Sequence, residues 1–300
     1  MCKRLSRVLR AWFRIRGRIT GSIGTTVILS AAKNLARIAG EIPRFAQDDD
    51  QENGPVIFAR ILNEMASDQT TSRKVAAFFD VDGTLVNATI VHYYVFFRRK
   101  RMSPLLGRLW YAGYLVKCIY YLLLDKIDRG RLNIAFYRDY AGLPVEEIKG
   151  RVAQCDAELI QPRQFVQAAA CVAEHNSAGR TTVLVTGSVD FIMAPLARRL
   201  GVDTVEAATL VEKNGRFTGQ LAGPPVGKDE KARRVLAFAS EHEIDLAQSY
   251  AYGDSIADLP MLEAVGHPHV VNPDRALAAT ARARGWPVHA WHTANGSAQG

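Results

Sequence analysis

Residues 75–84, VAAFFDVDGT, set an apolar run directly against two carboxylates one residue apart. An apolar stretch without polar alternation reads as a strand buried on both faces, and such strands belong to parallel sheets covered by helices on each side. In an extended strand residues i and i+2 point the same way. Asp80 and Asp82 therefore both reach past the carboxyl end of the strand, where open α/β sheets bind ligands. Each carboxylate raises the cost of ionising the other, so the pair needs a divalent cation to offset its charge, or one member protonated as an acid. Gly83 permits a tight turn just afterwards that leaves amide hydrogens free for an anion. A metal beside an anion points to phosphate. The plainer reading has Asp80 capping a helix and Asp82-Gly83 forming an ordinary turn. An EF-hand loop is excluded, because Val91 stands where that loop requires glutamate.

Two further strand ends bear on the choice. TTVLVTGS, residues 181–188, closes in Thr186-Gly187-Ser188, a hydroxyl with freed amides that suits a phosphoryl oxygen. YAYGDSIADLP, residues 250–260, closes in Asp254, with Asp258 four residues on. One of these carboxylates can ligate a hard cation while the other supports the site, and helix capping by Asp254 or Ser255 is the alternative. Between them GKDEKARR offers Lys228 and Lys231, either of which can neutralise a transferred phosphoryl group or simply begin a solvated helix. Three strand ends presenting Asp/Asp, Thr and Asp, with a lysine ahead of the third, are hard to explain as three separate caps.

The rest of the chain arranges itself around these ends. DFIMAPLARRLG reads as a helix closed by Gly201, and ATLVEKNGRFTGQL as a hairpin turning on Asn214-Gly215. A helix from about Asp229 to His242, a helix over IADLPMLEAVG, a short strand HVV and a last helix from Asp274 to Arg284 complete an alternation of strand and helix. That alternation predicts a doubly wound, Rossmann-like α/β core, formed by residues 73–88 and 176–291, with 292–300 as a tail. The long strand-free insert, residues 89–175, predicts a helical cap. Inside it residues 105–124 approach membrane-spanning length but are interrupted by Arg108 and Lys117. A cap helix packed on its neighbours is the first expectation there, and peripheral contact with a membrane surface the second.

The formal charge is +8, but the first 64 residues hold 11 Lys/Arg against 6 Asp/Glu, so most of the excess lies outside the regular pattern and nucleic acid is not expected as a partner. Residues 1–72 read as an appendage. VILSAAKNLARIAGEIPRFAQDD resembles a translated interspersed repeat in an over-extended reading frame, with Met65 as the true start, and an Arg-rich membrane-surface or targeting helix is the rival reading. Four scattered cysteines and no signal-peptide run predict a reduced, cytoplasmic protein.

Taken together, FFDVDGTLV, LVTGS, the lysine segment and GDSIADLP resemble, in order, the four motifs of the haloacid dehalogenase-like superfamily of aspartate-nucleophile phosphohydrolases. The long insert after the first motif is similar to the helical cap of the phosphoserine-phosphatase-like branch, subclass IB. The resemblance implies that Asp80 attacks phosphorus and that Asp82 protonates the leaving oxygen, then deprotonates water. It implies Mg²⁺ held by Asp80, the backbone carbonyl of Asp82, and Asp254, with Asp258 and Ser255 in support. Thr186, Gly187 and Lys231 would bind the phosphoryl oxygens of a small phosphate monoester, the spacing to Asp254 favouring Lys231 over Lys228. Phosphoserine phosphatases carry a glutamate nine residues after the nucleophile, and here that position is Thr89. Arg138 is the expected substrate-binding arginine of the cap, and its many aromatic residues suit a substrate with an apolar portion, such as a phospholipid-derived phosphate. A phosphotransferase of the same superfamily is the nearest alternative. A membrane-associated interaction protein that keeps only an inactive core is the other.

Overall fold

The computed structural model describes residues 74–127, 129–294 and 296. The expectations for residues 1–72, Met65 included, lie outside these residues.

Six strands form one parallel sheet: β1 Ala76–Phe79, β2 Thr181–Val189, β3 Thr204–Ala208, β6 Tyr250–Gly253, β7 His267–Val271 and β8 Val288–His289, in spatial order β3-β2-β1-β6-β7-β8. The remaining pair, β4 Leu210–Lys213 and β5 Arg216–Leu221, is an antiparallel hairpin whose turn places Asn214 at φ 51° and Gly215 at φ 69°, the positive values that a two-residue hairpin turn demands. With the hairpin set aside, the sheet has the doubly wound order, reversing direction at the β1–β6 boundary. All four residues of β1 are fully buried, because the strand has a neighbour on each side and helices on both faces. Phe78 and Phe79 each contribute about 1.5–3 kcal/mol by that burial.

The helices are α1 Ile90–Arg99, α2 Pro104–Ile127, α3 Arg129–Tyr137, α4 Val145–Gly150, α5 Val152–Cys155, α6 Val166–Ser177, α7 Asp190–Leu200, α8 Asp229–Glu241, α9 Leu259–Glu263 and α10 Arg275–Arg284. Between α1 and α6 the described chain is helical with no strand, as a helical cap requires. The expected core boundary at residue 176 needs correction: α6 buries Ala168, Val172 and His175, and His175 bonds the Tyr252 hydroxyl of β6. The chain thus rejoins the core at about residue 165. The expected tail also starts later, since His292 O accepts from the Val166 amide and Thr293 pairs with Phe165. The outgoing and returning connections run side by side: Arg163 O accepts from the Asn87 amide at 2.8 Å and Leu85 O from the Phe165 amide at 3.0 Å. No described helix is long and apolar enough to cross a membrane.

Aromatic and histidine rings on β1, β6, β7 and β8 form a ladder along one side of the sheet. Phe79 stacks on Tyr252 at 4.8 Å, Tyr252 on His269 at 4.8 Å, and His269 on His289 at 5.2 Å. Burial, then the Arg180 guanidinium 3.1 Å away, lowers His175 to about 4. Burial, then His289, does the same to His269. Both values lie below the 6.5 of an unconstrained histidine, so as pH falls the unfolded chain takes up protons first. Their stabilisation is complete above about pH 6.5 and is lost as pH drops toward 4. The urea midpoint should therefore fall between about pH 7 and about pH 5, and His269→Gln should shrink that fall. A fall of equal size in wild type and His269→Gln would show that His269 is not responsible.

Candidate active site

Asp80 follows the last residue of β1 and Asp254 the last residue of β6, so the two face each other where the sheet reverses. The turn after Asp80 brings the ends very close. Gly83 has φ +101°, and a Cβ there would lie 2.2 Å from Asp254 Oδ2, so only glycine fits. Thr84 closes the turn. Its hydroxyl lies 3.3 Å from Asp80 Oδ2 and 3.3 Å from Asp254 Oδ1, fully buried between the two carboxylates.

Lys231 enters from the first turn of α8. Its ammonium is 2.5 Å from Asp80 Oδ1 and 2.6 Å from Asp258 Oδ1, and the residue is 6% exposed. Lys228, the other lysine considered, is exposed at the helix N-cap, where its backbone takes φ +40°. Asp258 has its second oxygen engaged by the Asp254 and Ser255 amides and by the Ser255 hydroxyl, so it orients the loop after β6 while holding Lys231. One ammonium thus serves two buried carboxylates. Burial pushes Asp80 up to about 6 against the pull of Lys231, with Asp258 and Asp82 adding to the rise. For Lys231 burial acts downward, but Asp258 and Asp80 outweigh it and hold the ammonium above the usual lysine range.

Asp82 is fixed by hydroxyls. Tyr93 on α1 donates to Oδ1 at 2.8 Å, Ser188 donates to Oδ2 at 2.5 Å, and Thr186 stands 3.5 Å from the same oxygen. Thr186 also accepts the Ser188 amide at 3.0 Å, which holds the end of β2 in a sharp turn before α7. Gly187 is pinned by the Tyr137 hydroxyl on its carbonyl at 2.6 Å. A Cβ on Gly187 would approach Val226 O at 2.8 Å, so this strand end too has room only for glycine.

These groups enclose a cavity of about 30 Å³ lined by Asp80, Asp82, Gly187, Lys231, Ser255 and Asp258, together with Asn133 of the cap, Ala257 and the Val226-Gly227 loop. Of the residues assigned to phosphate and metal chemistry from the sequence, Asp80, Asp82, Gly187 and Lys231 line it, while Thr186 and Asp254 stand just behind, against Asp82 and Thr84. Arg138 does neither. It is exposed on a short turn after α3, and its backbone lies against Gly219 of the hairpin. The cap side chain that does reach the cavity is Asn133, whose amide donates to Val226 O at 3.3 Å. Sequence reasoning also missed Thr84, Tyr93 and Ser188. Only Thr84 carried a local signal, as the residue completing DVDGT.

A cation fits this donor set. Among the described residues, oxygens of Asp80, Asp254 and Asp258 lie within 4.8 Å of one another. Octahedral Mg²⁺ holds its ligand oxygens at about 2.1 Å and hence up to about 4.2 Å apart, within a small side-chain rotation of this spacing. Asp258 is committed to Lys231 through one oxygen and to the loop after β6 through the other, whereas Asp80 and Asp254 meet at the Thr84 hydroxyl and bring their carboxylates together from two strand ends.

A doubly wound sheet, a helical insert and acidic strand ends around a buried lysine define a capped, Rossmann-like α/β protein with an acidic site at its strand ends. Residues 77–263 match the model of the haloacid dehalogenase-like hydrolases, and the chain belongs to that family. A probable phosphatase of Mycobacterium tuberculosis is 36% identical over 224 residues, which cover 72% of this chain and 75% of that one. The histidinol-phosphatase of Neisseria meningitidis is 29% identical over 237 residues, covering 72% of this chain and 98% of that one. A solved phosphoserine phosphatase in apo form has the same fold, with a TM-score of 0.54 at 20% identity over 69% of this chain and 90% of that one.

Proposed function

We propose that this protein is a Mg²⁺-dependent phosphomonoester hydrolase that works through an aspartyl phosphate on Asp80. The observation that carries the reading is the buried placement of Asp80 between Lys231 and the Asp254 carboxylate, with Asp82 two residues on. Asp80 attacks phosphorus while Asp82 gives a proton to the departing oxygen of the alcohol. Asp82 then takes a proton from water as its oxygen attacks the aspartyl phosphate, releasing inorganic phosphate and restoring Asp80. Lys231 and the amides near Thr186 and Gly187 face the phosphoryl oxygens and stabilise their charge. Asp80, the Asp82 carbonyl and Asp254 would hold Mg²⁺, whose charge lowers the cost of two close carboxylates and polarises the phosphoryl group.

The relatives' names differ in the alcohol they imply, and both histidinol phosphate and phosphoserine carry an ammonium group. Here Thr89 occupies the position nine residues after Asp80, and its hydroxyl lies 3.0 Å from His92 Nδ1 in a helix-capping contact. No acid stands at that position to receive an ammonium. The substrate is accordingly a small phosphate monoester whose recognition does not depend on a carboxylate at residue 89.

Hydrolysis of an aryl phosphate should fall to background after chelation of divalent ions and return on addition of Mg²⁺. Rates that survive exhaustive chelation, or absence of turnover with every divalent metal tried, would exclude the reading. Added alcohols should leave the yield of free phosphate unchanged, which separates a hydrolase from a phosphotransferase.

A further inference from the structure

Helix α2 has two unlike sides. Gly107, Trp110, Tyr114, Cys118 and Tyr121, three or four residues apart, turn inward against α1 and α3. The opposite side carries Leu105, Leu109, Ala112, Val116, Ile119 and Leu123, also at alternating spacings of four and three. Its five large residues are 57–70% exposed. A water-facing stripe of that length is an interaction surface rather than scattered surface hydrophobicity.

The stretch that carries the stripe supplies cations and no acids of its own. Residues 90–124 include six Lys/Arg and no Asp/Glu. Some of the cations are engaged by acids from elsewhere in the cap: Lys100 by Glu158, Arg101 by Glu147 and Lys117 by Asp139. Arg99 is exposed over the Tyr111 ring, and Arg108 is exposed on the edge of the apolar stripe. Beside the stripe, α1, α2 and residues 158–163 enclose a groove of about 740 Å³ in which Val95, Phe96, Leu115 and Leu159 adjoin Arg99 and Arg163. Hydrocarbon and cations thus lie side by side along α2 and the groove, with Glu158 the acid among the groove's lining residues.

We infer that this face docks on an anionic lipid bilayer, with α2 lying in the interface and its apolar stripe turned toward the acyl region. An amphipathic helix with Leu, Val and Ile outward, flanked by the exposed Arg99, Arg108, Tyr111 and Tyr120, matches the boundary between headgroups and hydrocarbon. A second copy is a poorer match, because it would set the same excess of cations against itself. The inference is independent of the catalytic reading, since none of these residues touches the cavity at Asp80.

The test is flotation of the full chain with vesicles of phosphatidylcholine, alone or mixed with phosphatidylglycerol. Binding is expected to the mixed vesicles, weaker at high salt and much weaker to the neutral ones. Leu109→Gln with Val116→Gln, and separately Arg99→Gln with Arg108→Gln, should each lower the partition coefficient by at least ~10-fold while leaving aryl phosphate turnover unchanged. Failure of the full chain to float with anionic vesicles would overturn the proposal. So would equal binding of both variant pairs and wild type, or a dimer in sedimentation that the Leu109/Val116 pair dissociates.

Discussion

Asp80→Asn is expected to reduce aryl phosphate turnover by at least ~10³-fold while leaving the protein folded, because the change removes the nucleophile and preserves its volume. The asparagine oxygen can still accept from Lys231 and its NH2 can donate to the Thr84 hydroxyl, so the loop after β1 keeps its anchors. The variant should retain the wild-type circular dichroism spectrum and lose activity across the whole pH range. Undiminished turnover would mean that the phosphoryl group is not transferred to residue 80 at all, and another nucleophile would have to be sought.

Lys231→Met should produce a second kind of loss. The ammonium contacts both Asp80 and Asp258, and all three groups are buried. Removing it leaves two carboxylates facing each other without water. Breaking a buried ion pair from one side costs about 3–5 kcal/mol, so the metal-free variant should unfold at clearly lower urea concentration than wild type. Mg²⁺ should restore part of that stability by binding the orphaned acids, and turnover should stay depressed at least ~10²-fold because the phosphoryl oxygens lack their cation. A metal-free variant as stable as wild type would show that the lysine is not compensating these carboxylates.

Much of this site was legible because its main chemistry sits at strand ends, and strands buried on both faces announce themselves as apolar runs. β1, β2 and β6 were readable in this way, as were the Asn214-Gly215 hairpin and the helix of Lys231. The edge strands were not. β3, Thr204–Ala208, is half exposed and contains Glu206, so its strand character comes from pairing with β2 rather than from its own pattern. β8 is two residues long and depends wholly on β7. The hydroxyls that hold Asp82 were invisible for a related reason. Tyr93 and Ser188 belong to different elements, 11 and 106 residues from Asp82, and nothing local marks either as its partner. Arg138 lies outside the cavity because a turn follows α3 and carries it outward, whereas Asn133, five residues earlier, faces the cavity.

The space left beside Asp80, about 30 Å³, exceeds the roughly 10–15 Å³ that a cavity needs to hold one water molecule. Helix α3 roofs this space through the Asn133 contact to Val226 and the Tyr137 contact to Gly187, and so stands as its lid. Because the two strands of chain leading to and from the lid are stitched to each other at Asn87–Arg163 and Leu85–Phe165, they yield together, like the pin of a door rather than two independent tethers.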